Sequence, residues 1–184
     1  SVPFARTPAL VRDLFLNKNC RDEQDGRAFV RRLHFHMQGP LKGQTTFEDF
    51  KNPGRSVDFF KINMALNGVP HCIYYAVEWW HDGETYASMA VLKHNICKGT
   101  RSYWARAHTY PGEPFFVAGG GGGAEDDGSV VFTAIDGEHR HNIFVVLDAR
   151  TMQEASVTDL PVHIPFTAHG QFLPDKPAIE SIIV

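Results

Sequence analysis

The chain has 184 residues, 43% of them hydrophobic and 21% charged, with a formal charge of −3. Such a composition suits one globular domain with a real core, and it offers no basic face for nucleic acid. No run of about 18 apolar residues occurs, so no segment reads as a membrane-spanning helix.

The opening "SVPFARTPAL" has neither an initiator Met nor the apolar core of a signal peptide, as expected for a processed product or a piece of something longer. Residues 8–19, "PALVRDLFLNKN", read as a short helix or an irregular segment, and "CRDEQDG" follows as a polar turn. "RAFVRRLHFHM", 27–37, alternates as a strand does. "QGPLKGQTTFEDFKNPGRS", 38–56, reads as loop from its Gly, Pro, Lys and Asp content. "VDFFKINM" begins an extended stretch, and Asn67-Gly68 offers a hairpin turn.

"HCIYYAVEWW", 71–80, is an aromatic and β-branched strand, with "TYASMAVLKHN" as its return beyond the Asp82-Gly83 turn. "SYWARAHTY", 102–110, and "PFFV", 114–117, are two further candidates, and the glycine run 119–123 reads as a flexible connection. "SVVFTAI", "IFVVLDA" and "TMQEASVTDLPV" are strands, the first two joined through "DGEHRHN". "HIPFTAHGQF", 163–172, is the last. About ten short, regularly spaced strands and no long helix predict an antiparallel all-β protein: sandwich, barrel or propeller. A blade needs four strands, so the chain could hold about four blades, or an open segment of a larger ring.

The three cysteines, Cys20, Cys72 and Cys97, are odd in number and lack CxxC spacing. They predict free thiols in a reducing compartment rather than a disulfide framework or a zinc knuckle. Ten histidines are many for this length and prompt a search for metal. His169 precedes Gly170 at the end of an apolar stretch, where it can be a hydrogen-bonded core residue or a ligand on a turned backbone. Glu113 lies between Gly112 and Pro114 among aromatics. A carboxylate there needs a partner, and the free N–H of a metal-bound imidazole is one. His34/His36 and His139/His141 are H-x-H pairs whose members share a strand face and could chelate a metal, although charged neighbours favour solvated roles. "AEDDG", 124–128, reads as hairpin punctuation rather than a Ca²⁺ loop. No P-loop, GxSxG, HExxH or GxGxxG pattern occurs.

Several motifs in register resemble one family. "YPGEPFFVAGGGGGAEDDGSVVFTAIDG" and "IFVVLDARTMQEASVTDLPVHIPFTAHGQF" closely resemble the C-terminal part of the carotenoid cleavage oxygenases, which include the β-carotene oxygenases and the retinoid isomerohydrolase of the retinal pigment epithelium. "VDFFKINMALNGVPHCIYYAVEW" is similar to the family's F-P-x-I-N stretch and the Tyr-rich strand after it. The likeness runs over residues 57–172 and makes 1–184 the C-terminal portion of such a propeller domain, with 1–56 assigned on the weakest grounds.

The resemblance implies the C-terminal part of a seven-bladed β-propeller, several antiparallel blades in an incomplete ring. It implies an Fe²⁺ held by four histidines, with acids behind them. It also implies oxidative cleavage of a conjugated double bond in a carotenoid, apocarotenoid or retinoid-type substrate by O₂. His169 matches the last iron ligand and Glu113 one of the acids behind the ligands. Asp58 stands where the family has a glutamate, one methylene longer, and Phe60 replaces a proline. Phe115, Phe116, Phe166 and Phe172 are candidates for the substrate path.

The other three ligands and the upstream part of the propeller have no counterpart here, so the isolated chain is expected to be inactive. The expected location is cytoplasmic, with room for peripheral membrane contact through regions outside this chain. Two alternatives stand beside this reading: a non-enzymatic lipophile-binding propeller relative, and a small all-β metal-binding domain using His34 and His36.

Overall fold

The computed structural model describes residues 28–80, 88–121, 123–166 and 169–170. Its eleven strands there are β1 (Val30–Phe35), β2 (Thr45–Phe50), β3 (Arg55–Lys61), β4 (Ile73–Trp80), β5 (Ser88–Asn95), β6 (Thr100–Trp104), β7 (Thr109–Pro111), β8 (Phe115–Ala118), β9 (Gly128–Asp136), β10 (His141–Asp148) and β11 (Glu154–Leu160). The only helical element among the described residues is a 3₁₀ turn, Met64–Leu66, capped by the Asn63 side chain. The fold is all-β, as expected. β1 and β2 form a separate hairpin. β3-β4-β5-β6 is one antiparallel meander, and β11-β10-β9-β7 is another, with β8 also on β9. Each meander has the four-strand make-up of a propeller blade, and the ring they begin is incomplete.

The two blades pack face to face. Ile73, Tyr75, Val91 and Trp104 of the first meet Val130, Phe132, Ala134, Ile143, Val145 and Leu147 of the second. The opposite face of the first blade buries Val57, Tyr74, Ala76 and Leu92, with Val30 of β1 against them. β4 is therefore covered on both sides, and this accounts for its apolar run over 73–77 where a half-exposed strand would alternate. Burying side chains of this size stabilises by about 1.5–3 kcal/mol each. The expected antiparallel pairs are present: Tyr75 opposes Lys93 in β4–β5, and Val145 opposes Phe132 in β9–β10.

Four expectations need correction. The stretch 38–56 is not all loop, because Thr45–Phe50 pairs with β1. Cross-strand ion pairs of Arg31 with Asp49 and Arg32 with Glu48 join it to β1 despite the flanking Gly and Pro. "SYWARAHTY" is not one strand. β6 ends at Trp104 and β7 starts at Thr109, and His108, at φ 53°, turns the chain from one blade to the next.

"HIPFTAHGQF" is not a strand in its described residues, 163–166 and 169–170. Pro165 has no N–H for a ladder. The Asn142 amide takes the place of a paired strand: its Nδ2 donates to Ile164 O at 2.8 Å and its Oδ1 accepts from Ile164 N at 2.9 Å.

The cysteines are not all free, because Cys72 and Cys97 form a disulfide. Ile73 opposes Asn95, so the two cysteines flank the end of the β4–β5 ladder, a proximity that spacing rules for metal knuckles do not detect. Cys20, the 8–19 segment and the Asp82-Gly83 turn lie outside the described residues.

Candidate functional site

β7 and β8 lie along one edge of β9, and the register slips between them. Pro111 opposes Ala134, whereas Phe115 opposes Val131. Gly112-Glu113-Pro114 fills that slip. The Gly112 N–H still reaches Thr133 O at 2.8 Å, but Pro114 can donate nothing. The interruption turns Glu113 out of the ladder into a buried position, its side chain only 5% exposed.

Three groups meet this carboxylate. Lys61 Nζ is 2.9 Å from Oε1. The Gly170 N–H donates to Oε2 at 2.9 Å. His169 Nδ1 lies 3.5 Å from Oε1. Burial is the largest influence on Glu113 and pushes its pKa up. The bonds from Lys61 and Gly170, the Lys61 charge and the His169 contact together outweigh it and hold the carboxyl below its usual range.

Aromatic rings frame the corner. The Phe115 ring lies under the Lys61 ammonium, 4.8 Å from it. A Cβ at position 170 would come within 3.3 Å of the Phe115 ring, so glycine lets this turn sit tightly on it. Phe59 meets the His169 ring edge-on at 6.0 Å and stands near Trp79 and Phe166, at 5.6 and 6.5 Å. The His169 side chain itself is 83% exposed.

The structure thus brings together Glu113, His169, Phe115 and Phe166, and adds Lys61 and Phe59, which sequence reasoning missed. No periodicity marks Lys61, because its direction depends on a bulge in β3. Asp58 is apart from this cluster: it is exposed, and its Oδ1 accepts from the Phe59 N–H at 2.8 Å. Phe116 stacks on Tyr75 at 5.6 Å and packs against the core between the blades. Phe172 lies outside the described residues.

Three of the four paired histidines have other partners. His36 Nε2 is 2.9 Å from Thr46 Oγ1, His139 Nδ1 is 3.0 Å from Asp136, and His141 Nε2 is 2.9 Å from Asp159. The "AEDDG" turn does more than punctuate a hairpin. Glu125 Oε1 accepts from the N–H groups of Cys72 and Ile73, at 2.9 and 2.5 Å, and Asp126 pairs with Lys93 at 2.6 Å. The turn therefore fastens the second blade to the first.

The donor chemistry suits one ligand position for a metal ion. An exposed imidazole with a buried carboxylate behind Nδ1 is the arrangement that orients metal-binding histidines. Among the described residues no three His, Cys, Asp or Glu side chains converge on one point, so they supply one ligand and not a set.

A family model described as "Retinal pigment epithelial membrane protein" matches residues 5–174. The chain is 29% identical over 129 residues to the mitochondrial carotenoid-cleaving dioxygenase of Mustela putorius furo, covering 68% of this chain and 23% of that protein. It is 30% identical over 117 residues to the β,β-carotene 15,15′-dioxygenase of Rattus norvegicus, covering 62% of this chain and 20% of the relative. The chain therefore spans about a quarter or less of the length of these relatives.

Among solved structures, a variant of the Synechocystis apocarotenoid oxygenase superposes with a TM-score of 0.66 at 25% identity, over 78% of this chain and 29% of that one. A cobalt-substituted form of the Synechocystis protein superposes with a TM-score of 0.62 at 26% identity, over 70% of this chain and 27% of that one.

Proposed function

The chain belongs to the retinal pigment epithelial membrane protein family of carotenoid oxygenases. From that premise we propose that it is part of a non-haem iron(II) dioxygenase cleaving a conjugated double bond of a carotenoid, apocarotenoid or retinoid-type polyene with O₂. The observation that supports this reading is the buried Glu113 carboxylate 3.5 Å from Nδ1 of the exposed His169 ring, on the family's two matching motifs.

Iron(II), when bound, supplies the centre for O₂ activation. His169 is one of its ligands, and the remaining imidazoles come from the part of the relatives' length that this chain does not span. Glu113 stands behind Nδ1, on the side of the ring away from the Nε2 lone pair that would meet the ion. Asp58 serves another imidazole in the same manner. Phe115 and Phe166, with Phe59 beside them, form an apolar wall that holds the polyene by contact and keeps water from it.

One imidazole does not hold Fe²⁺ against water and other chelators, so the 184 residues alone are inactive. The test is anaerobic Fe²⁺ loading of the complete gene product, with polyene cleavage followed by loss of visible absorbance. His169→Ala should abolish both iron uptake and cleavage. Retention of both by that variant would sink the assignment, and polyene binding without cleavage by the wild type would make the protein a lipophile carrier.

A further inference from the structure

We propose that Lys61 is a positioning residue for His169. By occupying the carboxylate oxygen of Glu113 that faces the imidazole, it keeps the carboxylate–imidazole contact long and the ring free to turn. The functional meaning of this inference rests on the reading of His169 as a ligand. Its structural content does not.

The arrangement originates in β3. Asp58 opposes Val77, but Lys61 opposes Tyr75, so β3 has one residue more than β4 across the same span. Phe59 accommodates the extra residue at φ 56°, in the left-handed region that non-glycine residues seldom adopt. In a regular strand Phe60 would oppose Tyr75, and Lys61 would oppose Tyr74 on the other face. The bulge exchanges them. Phe60 packs on Tyr74 at 4.9 Å, while Lys61 emerges on the Tyr75 face, toward β7 and β8. The strained residue is also the one whose ring meets His169.

Both oxygens of Glu113 are then committed. Oε2 accepts from the Gly170 N–H at 2.9 Å, which stops the carboxylate from rotating. Oε1 is shared between Lys61 Nζ at 2.9 Å and His169 Nδ1 at 3.5 Å. A charge-assisted bond from an ammonium dominates a shared oxygen. The imidazole is left beyond the usual hydrogen-bond range of about 2.7–3.2 Å. Asp58 offers no second carboxylate here: it is exposed, and its Oδ1 turns back onto the Phe59 N–H. The Lys61 charge is further held by the Phe115 ring, on which the 169–170 turn also rests. Lys61 thus sets how firmly this corner grips its histidine.

The experiment reads the ring directly. The 184-residue chain is labelled with ¹⁵N-histidine, and long-range ¹H–¹⁵N spectra are recorded at alkaline pH, where the imidazoles are neutral. His169→Ala assigns the resonances. The wild-type ring should show averaged tautomers. Lys61→Met, which keeps the stem and removes the charge, should shift the ¹⁵N pattern toward a single tautomer protonated on Nδ1. Lys61→Arg should retain the wild-type average, and Lys61→Met combined with Glu113→Gln should restore it.

A tautomer pattern unmoved in Lys61→Met overturns the proposal. So does release of the Gly170 amide in that variant, which would make Lys61 an anchor of the turn and no more. Addition of Co²⁺ alone to the complete gene product separates the two readings. If His169 resonances show no paramagnetic shift there, the ligand assignment fails, whatever the tautomer spectra show.

Discussion

Two corners of this molecule are built from the same parts and finished differently. At 125–126, Glu125 takes the backbone N–H groups of Cys72 and Ile73, and Asp126 takes Lys93, whose side chain is 9% exposed. Around Glu113, the carboxylate takes the backbone N–H of Gly170 and the ammonium of Lys61, and a third donor, His169, stands at 3.5 Å. The first corner closes on itself and fastens one blade to the next. The second keeps an incomplete contact on an exposed ring. A buried acid with a lysine and an amide is therefore no mark of function by itself. The mark is the group left over after the acid's bonds are counted.

The sharpest way to break this contrast is to remove the lysines one at a time. Lys93→Met strands Asp126 in a largely buried position and should cost about 3 kcal/mol by urea denaturation. Glu113 is the more deeply buried acid, at 5% exposed, but it keeps the Gly170 N–H and the His169 ring can close on the freed oxygen, so Lys61→Met should cost less, about 2 kcal/mol. Equal losses would mean that the two corners do the same work.

Acid unfolding sharpens the first of these. Burial pushes Asp126 up, but its bond to Lys93 and the Lys93 charge hold it below the usual carboxylate range. Its contribution is present above the unfolded value and lost as pH falls through the lower folded one. Lys93→Met should move the acid limb of a pH-unfolding curve upward. Glu125→Ala comes next in size. It frees two amide donors at the start of β4 and should cost about 2 kcal/mol, read from the denaturation midpoint.

A histidine pair supplies the next comparison. His94 is 2% exposed, with Nδ1 2.9 Å from the Tyr74 hydroxyl. Burial first, and the Arg101 charge second, lower its pKa to about 4. A neutral buried imidazole stabilises fully above the unfolded value of about 6.5, and its contribution is lost as pH falls toward about 4. His94→Gln should flatten the stability difference between pH 7 and pH 5. The smallest effect on stability belongs to His169→Ala, within about 0.5 kcal/mol, because that ring is mostly in solvent. A large loss there would show that the exposed ring carries structural weight.

Sequence reading recovered the strands whose side chains are covered on both faces or alternate cleanly. β4, β5, β9 and β10 are of this kind, because burial dictates their composition. It missed β2, where Thr45–Phe50 sits between Gly- and Pro-rich flanks that dominate a composition window. It also took 163–172 for a strand, because a side-chain clamp from Asn142 leaves no periodic trace. His169 and Glu113 were legible through motifs in register, but which imidazole Glu113 stands behind was not, because that depends on how the 112–114 interruption and the 169–170 turn meet in space. Lys61 was not legible at all. Its face depends on one residue at positive φ, and Phe59 is not a residue type from which that is inferred.

The bridge between Cys72 and Cys97 acts on the chain before it is folded. Closing a loop of that size removes conformations from the denatured ensemble, which in the chain-entropy account stabilises the folded state by about 3 kcal/mol. The two termini of the central hairpin are then never far apart, even in urea. The oxidised chain should accordingly expose less new surface on unfolding and show a shallower denaturant slope than the reduced one. Its β4–β5 pairing should also form early in refolding, since the tether shortens the search that sets the rate.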